Sequence, residues 1–570
     1  PAARILERLG DPSAPKAVSL IAIHQHGIPD DFPDEAVAEA DRARPAGLKG
    51  REDLRELPFV TIDPVDARDR DDAVHAHADE AADNPGGHVI WVAIADVAHH
   101  VRPGSALDRE ARRRGNSTYF PDRVVPMLPD RLSADLCSLH AGVPRACIAV
   151  RMRLSEEGEL IGHSFHRGLM RSAASLSYEQ VQAALDGAPD DATGPLMEEV
   201  LQPLAAAHDA AARARDRRQP LDLDLPERRI ELSEKGEVLS VNFRDRLRAH
   251  RLIEDFMVLA NVAAGQTLVA KKTPLIFRVH EEPDPEKLAA LRETAQASGL
   301  TLAKGQVLHT RHLNRLLEQA AGTDLAELIN MATLRSMQQA YYTPENFGHF
   351  GLALRTYAHF TSPIRRYADL VVHRALISAH GWGADGLSGA DIEHLEQTAQ
   401  AISETERRSM AAERDTTDRY LAAYMSERVG QEFTGRISGI ARFGVFVKLD
   451  GTGADGLVPI RALGDEYFHH DREANTLMGA DTGRVIALGD RVRARLVEAV
   501  PVTGGLMLEP LEIAGETVEG GAMPDGARGG PRKSRGKGKP GRKDAPPGRK
   551  PAGGKAPKAG DKRKVSRRRK

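Results

Sequence analysis

The sequence predicts a large mixed α/β body, followed by a small all-β domain and a disordered basic tail. Residues 51–428 combine a buried-strand pattern at residues 89–94 with the apolar periodicity of a helix at residues 251–271. Residues 431–513 alternate apolar and polar side chains between glycine-containing turns, which is typical of strands. Residues 514–570 are rich in Gly, Pro, Lys and Arg and poor in apolar side chains, so they cannot bury enough surface to fold.

Further elements follow in order along the chain. Residues 1–50 contain turn signals and little chemistry, and residues 381–389 form a glycine-rich loop. The spacing at residues 401–429 predicts a long helix that carries Glu413. In the all-β domain, residues 443–449 are the clearest strand because apolar residues alternate with others at period two.

Composition bounds the class of protein. A length of 570 residues exceeds one ordinary domain, so two to four domains are expected. No uncharged apolar run approaches the ~20 residues of a membrane span, so we expect no membrane contact. The two cysteines, Cys137 and Cys147, do not indicate a disulfide framework in so long a chain, and they favour a reducing cytoplasm.

Charge is divided unevenly between the tail and the rest of the chain. The formal net charge is −3, but residues 526–570 hold 19 of the 79 Lys and Arg and only 2 of the 82 Asp and Glu. The tail therefore carries +17 and the remainder −20. A body this acidic is not a nonspecific nucleic-acid coat, so the tail is the expected contact for polyanions.

Four of the five aspartates in the ten residues 63–72 are the main chemical feature: Asp63, Asp69, Asp71 and Asp72, directly after an apolar stretch. Like charges this close must either protonate or share a cation. Carboxylate oxygens suit hard cations such as Mg²⁺, and a two-metal site for phosphodiester cleavage needs several of them. For such a cluster alone, a solvated acidic turn is an equally good interpretation.

Three distant segments identify a family. Residues 61–63 read Thr-Ile-Asp and residues 67–72 read Ala-Arg-Asp-Arg-Asp-Asp, which resembles the signature of the ribonuclease II and ribonuclease R exoribonucleases. Residues 341–370, containing Tyr-Ala-His-Phe-Thr-Ser-Pro-Ile-Arg-Arg-Tyr, and residues 412–415, Ala-Glu-Arg-Asp, resemble the same family in the same order. The resemblance covers roughly residues 1–513. Two features favour the ribonuclease R branch: the sequence Pro-Glu-Asn-Phe-Gly-His-Phe-Gly-Leu and the basic tail.

The resemblance implies an architecture and an activity. Residues 1–50 would be the end of a cold-shock-like OB-fold and a linker, residues 51–428 an RNB-type catalytic domain, and residues 431–513 an OB-fold of the ribosomal S-one type. The implied activity is processive, hydrolytic degradation of single-stranded RNA from the 3′ end to nucleoside 5′-monophosphates, by magnesium-assisted water attack with two ions. We expect a cytoplasmic monomer in RNA decay and quality control, whose tail engages structured RNA or the ribosome.

The resemblance also assigns roles to individual residues. The metal ligands would be Asp63, Asp69, Asp71 and Asp72, and the catalytic residues would be Asp72, Arg365 and Glu413. RNA would contact Tyr119, Tyr178, Glu254, Phe443 and Phe446. Without the resemblance, Glu413 would be a surface ion-pair residue, Tyr119 and Tyr178 core aromatics, Glu254 a helix-surface acid, and the two phenylalanines either core or stacking residues.

Local sequence makes one further prediction around Arg365. Thr-Ser-Pro at residues 361–363 predicts a helix start with Ser362 as N-cap and Pro363 at the first position. Arg365 then lies in the first turn, where a cation opposes the helix dipole but completes a phosphate site with the free N–H groups. His359 is expected to be structural.

Two alternatives stay open. The first is a catalytically inactive RNA-binding regulator of the same family, which the loss of a motif aspartate would indicate. All four aspartates are present. The second is a metal-dependent hydrolase of another substrate class, which the predicted OB-fold and the polycationic tail disfavour.

Overall fold

A computed structural model describes residues 17–225, 227–244, 246–303, 307–471 and 475–519. Its α-helices are α1 (Ala17–His26), α2 (Asp34–Arg42), α3 (Ala106–Arg114), α4 (Tyr178–Leu185), α5 (Gln202–Arg218), α6 (Arg248–Ala270), α7 (Pro285–Ala297), α8 (Thr310–Ala320), α9 (Ala326–Ser336), α10 (Tyr367–His380), α11 (Gly389–Glu393) and α12 (Leu395–Ser426). The predicted helices at residues 251–271 and 401–429 correspond to α6 and α12, with ends shifted by a few residues.

A seven-stranded sheet forms the centre of the body, in the order β1-β8-β7-β4-β3-β2-β9. The first nine strands are β1 (Glu52–Leu54), β2 (Val60–Asp63), β3 (Asp72–Ala78), β4 (His88–Ala95), β5 (Thr118–Tyr119), β6 (Val124–Val125), β7 (Pro144–Leu154), β8 (Leu160–Arg171) and β9 (Ala174–Ser177). Strand β4 is buried beyond its first residue, as the apolar run at residues 89–94 predicts. Helices α5 and α6 pack on this sheet and α10 packs on α6, which encloses the main hydrophobic core.

Helix α6 is the one described helix that is long and apolar enough to cross a membrane by length and composition. More than half of its residues are buried in this core, among them Leu252, Phe256 and Leu268. Packing inside the molecule therefore accounts for its apolar character.

The acidic loop lies at the ends of strands β2 and β3 of the sheet. Strands β2 and β9 run parallel, with Asp63 opposite Ser177, while β2 and β3 pair at Val60 and Val74. Asp63 ends β2 and Asp72 begins β3, so residues 64–71 form the connection between two neighbouring strands. The four aspartates are thus held at one end of the sheet.

Strands β10 (Glu227–Leu232) and β11 (Val238–Arg244) form a hairpin, and β12 (Phe277–Val279) pairs with β13 (Tyr341–Thr343). The remaining strands are β14 (Glu432–Ala441), β15 (Gly444–Leu449), β16 (Asp455–Pro459), β17 (Phe468–Asp471), β18 (Thr476–Gly479), β19 (Val485–Ala487), β20 (Arg491–Val500), β21 (Gly505–Ile513) and β22 (Glu516–Thr517). Five of them close into a barrel in the order β16-β15-β14-β20-β21, because β16 also pairs with β21 at Leu457 and Met507.

The ends of the chain differ in part from expectation. Strand β22 pairs with β21, so ordered structure extends beyond the predicted start of the tail at residue 514. Residues 520–570 lie outside the described residues, and the predicted disorder there stays a prediction.

Residues 17–42 contain helices α1 and α2 where the end of an OB-fold was expected, and the buried face of α1 packs on α12. Cys137 and Cys147 are buried free thiols.

Candidate active site

The acidic loop is fixed by its backbone. The Ser138 hydroxyl donates a hydrogen bond to the carbonyl oxygen of Arg68 at 2.9 Å and accepts one from the N–H of Arg70 at 3.1 Å. These two bonds flank Asp69 on both sides along the chain. Ser138 is fully buried, so the loop is anchored to the body from beneath.

Two carboxylate oxygens of the cluster are buried without a hydrogen-bond partner: Oδ2 of Asp63 and Oδ2 of Asp71. Each is faced by an arginine. Nε of Arg70 lies 3.7 Å from the Asp63 oxygen, and Nε of Arg365 lies 3.6 Å from the Asp71 oxygen. Both distances exceed those of a hydrogen bond, so the arginines supply charge and leave the oxygens open.

Burial raises the pKa values of three of these carboxyl groups. Loss of hydration raises the pKa of Asp63 to about 6, although Arg70 opposes the increase. Burial, followed by the charge of Asp63, raises the pKa of Asp72 to about 7. Burial also raises the pKa of Asp71 well above its usual range. The charges of Arg70 and Arg365 therefore do not compensate for the burial of these carboxylates.

The donor set fits a hard divalent cation. Buried carboxylate oxygens with no partner need a positive charge, and oxygen is the ligand that Mg²⁺ prefers. Among the residues that the structure describes, no three His, Cys, Asp or Glu side chains are arranged to hold a metal ion as they stand. Binding a cation would therefore require these side chains to move closer together, which is a side-chain adjustment on an anchored loop.

The helix predicted to start at Ser362 begins later, at Tyr367 of α10, so that prediction is wrong. The chain makes one turn after Ser362 and is then extended at Arg366 (φ −136°, ψ 125°), which stops the helix from starting there. The N–H of Ser362 donates to Asp369 Oδ1 and the N–H of Ile364 donates to Asp71 Oδ1, both at 2.8 Å. The segment is consequently a turn held between two aspartates.

The two arginines after this turn have different roles. Arg365 is 47% exposed in its side chain and donates through Nη2 to the Ser362 hydroxyl at 3.0 Å. Arg366 donates through Nε and Nη2 to both oxygens of the fully buried Asp369, at 2.8 Å each. Arg365 is thus available to an external anion, whereas Arg366 is committed to the fold.

A cleft whose lining includes Tyr119, Arg365 and Glu413 adjoins the cluster, because Tyr119 contacts Asp69 and Arg365 faces Asp71, although none of the four aspartates lines it. The Tyr119 hydroxyl donates to Asp69 Oδ2 at 3.1 Å, and its backbone N–H donates to Glu413 Oε1 at 2.8 Å. Burial raises the pKa of Glu413. Glu413 therefore joins α12 to the strand that carries Tyr119, rather than pairing with a neighbouring arginine on its own helix.

Tyr178 lies near the same end of the sheet, and Glu254 is on helix α6, on which the Tyr178 ring packs. Tyr178 begins α4 directly after Ser177, which is opposite Asp63 in the β2–β9 pair. Its ring stacks on His250 at a centroid distance of 4.1 Å. Glu254 is one turn after His250 on α6, is exposed, and pairs with Arg246 at 2.6 Å.

Phe443 and Phe446 belong to the barrel and are not part of the cleft. Phe443 is 58% exposed and Phe446 is half-buried, and neither lies in the barrel core. Their rings meet edge to face at 6.0 Å. Of the two interpretations that the sequence left open, the structure excludes the one in which they are core residues.

Comparison with known proteins identifies the family. Residues 51–380 match the RNB domain, and residues 426–508 match the S1 RNA binding domain. Ribonuclease R of Escherichia coli (strain K12) is 40% identical over 511 residues, which cover 87% of this chain and 62% of the relative. The chain belongs to the ribonuclease R family. Ribonuclease R of Aquifex aeolicus (strain VF5) is 36% identical over 506 residues, covering 87% of this chain and 70% of the relative.

A solved structure supports the same relationship within the ribonuclease R family. Mycoplasma genitalium RNase R in complex with ribose-methylated single-stranded RNA superimposes with a TM-score of 0.83 at 29% identity, covering 88% of this chain and 79% of the other. The predicted fold class, an RNB-type domain followed by a β-barrel, is therefore confirmed. The chain spans about 62% of the length of its Escherichia coli relative.

Sequence reasoning missed the residues that support this ribonuclease R-family site. Ser138 fixes the loop from outside every motif, and the roles of Ser362 and Asp369 in holding the turn were not predicted, although both lie in the matched segment 341–370. The wall of the cleft also contains Glu406, which pairs with Arg278 at 2.6 Å. Arg70 lies inside the aspartate motif and was likewise not assigned a role from sequence.

We expect the metal-free protein to lose stability through Asp72 as pH rises from about 4 to 7. The unfolded carboxyl ionises near its usual pKa of 3.8, while the folded group keeps its proton up to about pH 7. The folded state thus binds more protons in this window, so its stabilising contribution is present below the window and is lost across it.

Thermal unfolding in EDTA at pH 5 to 8 checks this expectation. Asp72→Asn has no carboxyl to ionise, so its unfolding temperature should fall less than that of the parent and exceed it at pH 8. Parallel profiles for the two proteins would contradict the assigned pKa.

Proposed function

We propose that this chain is a hydrolytic 3′-to-5′ exoribonuclease that acts processively on single-stranded RNA and releases nucleoside 5′-monophosphates. The observation that carries the proposal is the pair of buried, unpartnered carboxylate oxygens of Asp63 and Asp71, together with Arg365, which faces Asp71 and also lines the neighbouring cleft. Membership of the ribonuclease R family supports the reaction and its direction. Its cytoplasmic location, monomeric state and role in RNA decay stay predictions.

The four aspartates would hold Mg²⁺, with two ions as the proposed number. Such cations supply a more acidic bound water and neutralise charge at the phosphate undergoing attack. The chain's own contribution is to present Asp63, Asp71 and Asp72 on anchored backbone, with Asp69 fixed by the hydroxyl of Tyr119. Water is limited because the carboxylates are largely buried.

Arg365 would bind the scissile phosphate. Its guanidinium is half-exposed at the cleft and close to Asp71, so it can reach a phosphate between itself and the carboxylates. Glu413 holds the backbone of Tyr119, whose ring is exposed enough to stack on the 3′-terminal base. Glu413 is therefore proposed as the residue that sets the position of the terminal nucleotide.

RNA outside the cleft would contact the barrel. The rings of Phe443 and Phe446 meet edge to face on the barrel surface. Such rings can stack on successive unpaired bases. The basic tail lies outside the described residues, and its predicted contact with structured RNA or the ribosome remains a proposal from its charge of +17.

The test is incubation of the purified chain with 5′-labelled single-stranded RNA and Mg²⁺, with EDTA as the control. A ladder that shortens from the 3′ end, together with mononucleotide products, is expected. Binding without shortening would instead favour the inactive regulator, and neither binding nor cleavage would favour a hydrolase of another substrate class. The four retained aspartates disfavour the regulator.

The sugar is proposed to be recognised by Tyr178 and Glu254. Hydrogen bonds to the 2′-hydroxyl are how a protein distinguishes RNA from DNA, and Tyr178 directly follows Ser177, which pairs with Asp63 at the end of β2. We expect Tyr178→Ala combined with Glu254→Ala to retain RNA hydrolysis and to begin degrading DNA 3′ ends.

Gels of end-labelled RNA and DNA of equal sequence measure this change. Tyr178→Ala combined with Glu179→Ala is the matched control, since Glu179 is an exposed neighbour on the same helix. A double variant that remains as restricted to RNA as the parent would refute the assignment of Tyr178 and Glu254.

A further inference from the structure

Arg70 is a cation inside the acidic loop, between Asp69 and Asp71 in sequence. Its side chain is 20% exposed, and its Nε is buried without a hydrogen-bond partner. The nearest carboxylate oxygen recorded for it is Oδ2 of Asp63 at 3.7 Å, which is also buried and unpartnered. Two groups that each need a partner thus face one another without forming a hydrogen bond.

The same arrangement occurs on the other side of the cluster. Arg365 Nε faces the unpartnered Oδ2 of Asp71 at 3.6 Å. Both arginines attract their carboxylates by charge alone. In a hydrogen-bonded ion pair the nitrogen and oxygen would lie within about 3 Å of each other. Such contacts are easily replaced by a cation of higher charge.

The backbone of Arg70 does not need to move for such a replacement. Its N–H donates to the Ser138 hydroxyl at 3.1 Å, and its carbonyl accepts from the N–H of Leu139 at 3.0 Å. A change in the Arg70 rotamer therefore does not require the main chain to move. The charged side chain of Arg70 can therefore be replaced without breaking the backbone hydrogen bonds that hold the loop.

We infer that Arg70 is the resident counter-cation of Asp63, and that a divalent cation must displace it to bind that carboxylate. Arg70 thereby lowers the affinity of the cluster for divalent cations and sets the concentration at which they bind. The inference rests on the proposed function, because it requires the aspartates to be the cation site. It also explains why the carboxylates do not stand in ready-made metal geometry in this structure.

Removing the charge should strengthen cation binding. We expect Arg70→Met to bind Mn²⁺ about fivefold or more tightly than the parent, since a unit positive charge close to a divalent ion repels it strongly in a partly buried site. Arg70→Lys keeps the charge and should resemble the parent. Arg68→Met is the matched control, because Arg68 is an exposed arginine in the same loop with no ion pair recorded in the described residues.

The experiment is a Mn²⁺ titration of the metal-free full chain at pH 8, with free Mn²⁺ measured by electron paramagnetic resonance. The shift of the unfolding temperature on adding Mn²⁺ is a second measure that does not depend on activity. Tighter binding by Arg70→Met alone, with a larger thermal shift, is the expected result. Equal or weaker binding by Arg70→Met would overturn the inference.

Asp63→Asn separates this inference from the proposed function. If the parent binds Mn²⁺ and Asp63→Asn loses affinity, the cation site stands whatever Arg70→Met does. If Asp63→Asn binds Mn²⁺ as well as the parent, the cation site itself is wrong and the role of Arg70 falls with it. Unfolding curves in EDTA confirm that each variant is folded before its titration is compared.

Discussion

Asp72→Asn should lower RNA hydrolysis about a thousandfold or more while leaving RNA affinity within a few fold, because it removes one carboxylate of the cation site and none of the RNA-contacting side chains. Asp72 begins β3 and lies against Asp63, whose charge helps to raise its pKa. The amide has nearly the same shape, so the strand and the loop should keep their structure. Single-turnover cleavage in Mg²⁺ and filter binding in EDTA measure the two quantities separately.

Asp66→Asn is the matched control for this variant. Asp66 lies in the same loop between β2 and β3, but it is exposed and outside the motif positions. It should cleave at the parental rate. An Asp72→Asn protein with full activity would rule out the proposed cation site, and an equal loss in both variants would indicate that the loop tolerates no change in charge.

Arg365→Ala should mainly lower the cleavage rate, whereas Arg366→Ala should mainly lower the free energy of unfolding. Arg365→Ala is expected to slow cleavage by about a hundredfold to a thousandfold with little change in stability, since it removes a preorganised donor from the reacting phosphate. Arg366→Ala leaves the buried carboxylate of Asp369 without its bidentate partner, which should cost about 3–5 kcal/mol of unfolding free energy. Adjacent residues thus separate catalysis from folding.

Denaturant unfolding and single-turnover cleavage distinguish the two effects. Because Asp369 also accepts the N–H of Ser362, Arg366→Ala should loosen the turn that precedes Arg365 and reduce activity indirectly. If Arg365→Ala proved the more destabilised protein, the assignment of Arg365 to phosphate and Arg366 to the fold would be reversed.

Local sequence was enough to predict several elements because their signals are periodic and short-range. The apolar run of β4, the helices α6 and α12, and the alternating barrel strands all follow from side-chain spacing along the chain. The aspartate cluster was also predictable, since its members lie within ten residues and their mutual repulsion does not depend on the rest of the fold.

The start of α10 shows where local reasoning stops. Ser362 and Pro363 favour a helix by themselves, yet Asp71 accepts the N–H of Ile364 and Arg366 is extended through a β-bridge to Asn116, so α10 begins only at Tyr367. Asp71 is 293 residues from its partner Ile364, so no local pattern could have indicated the contact. The capping rule was correct about the preference and was overridden by tertiary hydrogen bonds.

Residue types at fixed spacings were enough to predict the family, the fold class and the chemistry of the carboxylates. Which side chains share the site depends on how distant segments pack in the folded chain. This packing brings Tyr119 to Asp69 and Glu413, 50 and 294 residues away, and separates Arg365 from the otherwise identical Arg366. Burial decided the rest: a carboxylate becomes a candidate cation ligand when its oxygens lose water and gain no hydrogen bond, and that depends on packing from distant parts of the chain.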